Sequence, residues 1–215
     1  MIRHRGIVVV LTLAIVLIAS VAPVKAQDGT PVAPPTADRI VPLPSECTVT
    51  PRSPESLIQL ATPEAVAATA TTTPAAPAIP FGAFAGTPAD AETAAAYSTF
   101  IRLFWACNNA EDITRIMALL TDEEIRQAFL PEDILFFAEP AAGTPAPLTE
   151  EELATIFAIL GIEDLGNERV GAYVVVDTPH DPLPVEVNYM IATETAEGWR
   201  LDEFVCFNEV GGYCS

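Results

Sequence analysis

The sequence predicts an α+β domain in which helices come first and an antiparallel sheet follows, the helices covering one face of the sheet. Two observations carry this. From about Thr87 to Leu160 apolar residues recur at helical spacing between capping signals. After Gly161 the chain turns to segments rich in Val, Ile, Tyr and Phe, bounded by turn residues.

The first helix is expected to open at Thr87-Pro88-Ala89-Asp90, with proline just inside the start and acids in the first turn. Tyr97, Phe100, Ile101, Phe104 and Cys107 or Asn108 form its buried stripe, and Asn108-Asn109 ends it. A second helix runs from about Glu111 to Leu120. Thr121-Asp122-Glu123-Glu124 is a capping-box pattern that starts a third, stopped by Pro131, which itself opens a short turn through Phe137. Thr149 to Glu152 repeats the capping box and announces a helix to about Leu160, with Leu153, Ile156, Phe157 and Leu160 inward. Arg169–Asp177, Val185–Thr195 and Trp199–Phe207 read as strands, the last two joined by a short hairpin at Glu197-Gly198. Ile162–Leu165 is placed to pair with Arg169 onwards across Gly166-Asn167.

Three parts are expected along the 215 residues. Residues 1–26 read as a secretory signal: Arg3, His4 and Arg5, then the apolar run Ile7–Ala22, then Val24-Lys25-Ala26 ahead of a cleavage site. That run is shorter than the roughly 20 residues needed to span a bilayer, so no stable membrane insertion is expected after cleavage. Residues 27–87 form a Pro/Ala/Thr-rich linker or stalk that cannot bury enough apolar surface to offset its ordering entropy, with a short ordered piece at 45–60. Residues 88–215 make the α+β domain.

Cleavage would remove Arg3, Arg5 and Lys25, taking the net charge from −19 to −22. Such a field repels phosphate backbones, and no basic stripe exists, so nucleic acid is excluded as a partner. Four cysteines in an exported chain predict two disulfides. Three pairings are open, and the preferred one is Cys47–Cys107 with Cys206–Cys214. No C-x-x-C pair or matching histidines point to a metal, and no nucleotide or other cofactor fingerprint occurs. The only histidine of the mature chain, His180, lies in a loop and lacks the partners of a triad.

Four segments, in order, carry a family resemblance: Asn108-Asn109-Ala110-Glu111-Asp112, Leu119-Leu120-Thr121-Asp122, Arg169-Val170-Gly171-Ala172 and Gly198-Trp199-Arg200-Leu201-Asp202-Glu203. Across about residues 88–207 the chain resembles the nuclear transport factor 2-like superfamily, or cystatin-like cone. The resemblance implies a curved antiparallel sheet wrapped around helices to form a conical pocket, and sheet faces that pair in homodimers. It implies no single activity: some members are isomerases, cyclases or dehydratases, and others bind ligands or partners.

The remaining route to catalysis is a carboxylate with a raised pKa inside a pocket. Strand alternation puts Glu203 with Trp199, Leu201, Val205 and Phe207, which nominates it as the catalytic candidate. Tyr189, on the face of Val185, Val187 and Ile191, and Tyr97 are the other pocket-lining candidates. The simpler readings are core tyrosines and a Glu203 ion-paired with an arginine such as Arg169. Glu123, Glu124 and Glu150–Glu152 read as helix-start charges. The expected role is non-enzymatic binding of a small apolar ligand or a protein partner; an acid–base enzyme and a structural surface module are the alternatives.

Overall fold

The computed structural model describes residues 39–62, 86–139, 145–179 and 185–207. The signal segment, most of the stalk, His180 and Cys214 lie outside the described residues. The architecture is α+β, with an open five-stranded antiparallel sheet in the order β1-β2-β3-β4-β5. Its strands are β1 (Thr87–Pro88), β2 (Thr155–Gly166), β3 (Arg169–Asp177), β4 (Val185–Thr195) and β5 (Gly198–Phe207). The helices are α1 (Pro54–Leu60), α2 (Ala91–Asn109), α3 (Ile113–Ala118), α4 (Asp122–Ala128) and α5 (Pro131–Phe137). No described helix is long and apolar enough to cross a membrane.

Helix α2 is the spine. Asp90 caps it by accepting from the Glu92 and Thr93 amides, each at 2.9 Å. The expected start at Thr87 is therefore corrected: Thr87 and Pro88 pair with Asp164 and Glu163 as the edge strand instead. The expected stripe of Tyr97, Phe100, Ile101, Phe104 and Cys107 is buried, together with Trp105. It packs on Val170, Ala172 and Val174 of β3, Met190 and Ala192 of β4, and Leu201 of β5 in one continuous core. The Tyr97 ring lies edge-on to Trp199, with centroids 5.5 Å apart.

Residues 39–62 belong to that same core. The Cys47–Cys107 disulfide joins this segment to α2 across 60 residues of chain, and Leu57 and Leu60 are buried beside it. In the chain-entropy account a loop of this length contributes about 4 kcal/mol. Arg52 reinforces the join, donating to the carbonyls of Met117 and Leu120 at 3.0 Å each and to Asp122 at 2.7 Å. Cys206 is also disulfide-bonded, and its expected partner Cys214 lies outside the described residues.

The largest correction concerns the helix expected from the Thr149 capping box to about Leu160: Thr155 to Leu160 is strand and not helix. The capping box at Thr149 forms, with the Glu152 carboxylate accepting from the Thr149 amide and hydroxyl at 3.1 and 2.7 Å. No helix follows, because Asn109 takes the backbone of Ala154. Its carboxamide accepts from the Ala154 amide at 2.8 Å and donates to the Ala154 carbonyl at 3.2 Å. From there Thr155–Gly166 pairs with β3 through the Gly166–Arg169 turn. Irregularities between Ile156 and Ala158 and between Leu160 and Glu163 insert extra residues. They turn Ile156, Ile159 and Ile162 all towards the core, whereas Leu160, expected inward on a helix, is exposed.

Candidate functional site

Of the three expected pocket residues, Tyr189 and Glu203 lie on one side of the sheet and Tyr97 on the other. Tyr97 lies between α2 and the sheet, fully buried, and donates its hydroxyl proton to the Met190 carbonyl at 2.6 Å. Burial pushes its pKa up. Tyr189 lies on the opposite face of the sheet, in a second cluster with Tyr173, Ile191 and Phe207. Its ring sits 4.7 Å from that of Tyr173, and its hydroxyl fills the space a side chain at Gly171 would need. That hydroxyl is buried without a hydrogen-bond partner among the described residues, and burial first, then the Glu163 carboxylate, pushes its pKa up to about 12.

Glu203 is separated from Leu201 by a bulge. Ile191 pairs with Glu203 while Ala192 pairs with Leu201, leaving Asp202 as the extra residue. Alternation restarts there. Trp199, Leu201 and Phe204 serve the helix-side core, whereas Val205 and Phe207 join the far cluster with which Glu203 shares a face. Arg169 reaches Asp202 at 2.8 Å and Glu203 at 3.5 Å, the ion pair that the simpler reading of Glu203 anticipates. Desolvation raises the Glu203 pKa against the opposing pull of Arg169.

A different carboxylate occupies an apolar cavity. The hydroxyl of Thr121 caps α4 by accepting from the Glu124 amide at 3.2 Å. In a complete capping box Glu124 would return the bond to the Thr121 amide. That amide is already used: it donates to the Leu201 carbonyl at 2.8 Å, while the Leu201 amide donates to the Leu119 carbonyl at 2.7 Å. This short parallel bridge between Leu120 and Leu201 docks the start of α4 against β5. Glu124, freed from capping, turns into the space between them and is 9% exposed. Its carboxylate has no hydrogen bond or ion pair among the described residues.

The cavity holds about 270 Å³. Its walls are Phe104, Trp105 and Asn108 of α2, Ile113 and Ile116 of α3, Leu120, Ala128 and Phe129 around α4, and Leu201 and Phe204 of β5. Phe104 and Phe204 meet with ring centroids 6.2 Å apart. Trp105 is 6% exposed and its indole N–H has no hydrogen-bond partner among the described residues. Glu124 is the single ionisable residue in this lining. Desolvation, followed by the nearby carboxylates of Asp202, Glu203 and Glu123, pushes its pKa up to about 7.

A larger cleft of about 510 Å³ runs between Val49, the Ala96–Leu103 stretch of α2 and the Glu197–Arg200 turn. Its charged residues are already satisfied: Arg200 donates to the Ala118 carbonyl at 2.5 Å and to Glu197 at 3.1 Å. Among the described residues, buried polar atoms without a hydrogen-bond partner include the Trp105 indole N–H in the lining of the Glu124 cavity and, outside it, Arg115 Nε, Arg169 Nε, Asn188 Oδ1, the Tyr189 hydroxyl and Glu203 Oε1. The signal that could have located Glu124 was the overlap of a capping box with the Leu119-Leu120 run, which is too apolar to be a surface linker. No group of three or more metal-ligating side chains occurs among the described residues. No protein-family model matches the chain, and neither a curated protein nor a solved structure is similar to it.

Proposed function

We propose that this chain is an exported binding domain that takes a small, largely apolar ligand in the cavity around Glu124. The observation that carries the reading is a carboxyl with no hydrogen bond or ion pair among the described residues, lining an aromatic-walled cavity of about 270 Å³ beside the buried Trp105 N–H, which also has no partner among them. Buried polar groups are nearly always hydrogen-bonded. A ligand with an apolar body and one polar end would bury its body on Phe104, Phe129 and Phe204 and present its polar end to Glu124 or the Trp105 N–H. The signal-like residues 1–26 and the Cys47–Cys107 bridge support export into an oxidising compartment. Helices packed over one face of an antiparallel sheet are compatible with the cone-like superfamily that the sequence resembles.

Native mass spectrometry of the full chain, produced through an oxidising export route and never reduced, tests the reading. The expected result is retained extra mass that disappears in Ala128→Trp, which plugs the exposed rim of the cavity. A clean protein mass, together with no heat on titration of apolar probes, would reject it.

The acid–base enzyme is the second reading. A carboxyl titrating near pH 7 is suited to proton transfer at neutral pH. In that case Glu124, not Glu203, is the group to test, and Glu124→Gln would abolish turnover while leaving the fold intact.

A further inference from the structure

We infer that the polar end of the ligand is a cation, and that the cavity around Glu124 is a site for an apolar ammonium, either an amine or a quaternary ammonium. The inference rests on the ligand-binding reading above and adds the chemical class.

Three features of the site converge on it. Glu124 is 9% exposed and unpaired among the described residues, so its ionised form lacks the counter-charge that buried carboxylates require. The cavity supplies none: α2 and α3 line it only with uncharged residues. The surrounding charges add to the deficit. Glu123 on α4 and Asp202 and Glu203 on β5 all act on Glu124 as like charges. The two arginines beside them are committed elsewhere, Arg169 to Asp202 and Glu203 and Arg126 to Glu123. The walls then suit a cation in their own right, because four aromatic residues, Phe104, Trp105, Phe129 and Phe204, line the space around Glu124. An anionic ligand would meet the Glu124 carboxylate with no cationic side chain in the lining, and a plain hydrocarbon would leave Glu124 unpaired.

The linkage has a definite sign. A cation binds the ionised form of Glu124, so its apparent affinity rises as pH approaches the carboxyl's pKa of about 7 from below, then levels. If binding requires that form, affinity should increase about a hundredfold between pH 5 and pH 8. A neutral molecule of the same shape binds the protonated form at least as well, so its affinity stays level or falls over that range.

The experiment is calorimetric titration of the full, disulfide-intact chain with benzyltrimethylammonium and with its uncharged isostere neopentylbenzene, at pH 5, 6, 7 and 8. We expect the ammonium to bind more tightly than the hydrocarbon at pH 8 and to lose its advantage towards pH 5. In Glu124→Gln the pH step should vanish. The wild-type profiles need no variant and stand if Glu124→Gln fails to fold. Binding of the hydrocarbon without preference for the ammonium, or ammonium binding that is flat with pH, overturns the cation assignment and leaves the apolar-ligand reading standing. Binding of neither probe overturns both.

Discussion

Two stretches of this chain carry the same helix-start pattern and use it in opposite ways. At Thr121–Glu124 the helix forms, from Asp122 to Ala128, but the fourth residue does not cap it. At Thr149–Glu152 the fourth residue caps, through bonds of 2.7 and 3.1 Å to Thr149, but no helix follows. The difference lies in what the rest of the molecule does with one backbone group in each. Leu201 claims the amide of Thr121 and releases Glu124 into the cavity. Asn109 claims the amide and carbonyl of Ala154 and holds the chain extended. A local motif states which bonds are available; tertiary partners decide which are made.

The sharpest way to break the comparison is to remove Asn109. Its side chain is fully buried and also donates to the Pro42 carbonyl at 2.7 Å. Asn109→Ala should leave three buried backbone groups without partners and destabilise the fold by roughly 3–5 kcal/mol in urea unfolding. A loss below 1 kcal/mol would mean that β2 is held by its strand pairing alone.

Glu124→Gln probes the other stretch, and its effect depends on pH. A carboxyl whose folded-state pKa lies above its unfolded value of 4.5 contributes stability below that value and loses it as pH rises through about 7. Relative to Glu124→Gln, the wild-type protein should therefore lose about 3 kcal/mol between pH 4.5 and pH 8. Parallel stability curves for the two proteins would show that Glu124 is solvated or paired after all.

Much of this was readable from the residues. The stripe of α2 and the limits of β3 and β4 follow from spacing and composition, because there a single periodicity runs uninterrupted; the Cys47–Cys107 bridge was one of three open pairings, and the preferred one. The failures cluster where an extra residue enters a strand. Bulges in β2 turn Ile156, Ile159 and Ile162 all towards the core and leave Leu160 exposed, and the bulge at Asp202 moved Glu203 to the face opposite Leu201. Strand alternation has no memory across such an insertion. Glu124 was hidden for another reason: its burial depends on a hydrogen bond between Thr121 and Leu201, eighty residues apart, which no local window contains.

Smaller effects sharpen the contrast. Thr121→Ala removes a cap from a helix that exists, and should lower the thermal midpoint by an amount equivalent to about 1 kcal/mol. Glu152→Ala removes a cap from a helix that does not exist, on an exposed turn, and should change stability by only a few tenths of a kcal/mol. Equal losses in the two variants would remove the distinction drawn here.

The central claim is that the pairing of Thr121 with Leu201 leaves a carboxyl unpartnered in an apolar cavity. The most direct measurement is a carbon-13 NMR titration of the Glu124 side-chain carboxyl in the disulfide-intact protein. The account predicts a midpoint near 7; a midpoint at the ordinary glutamate value, near 4.3, would contradict it.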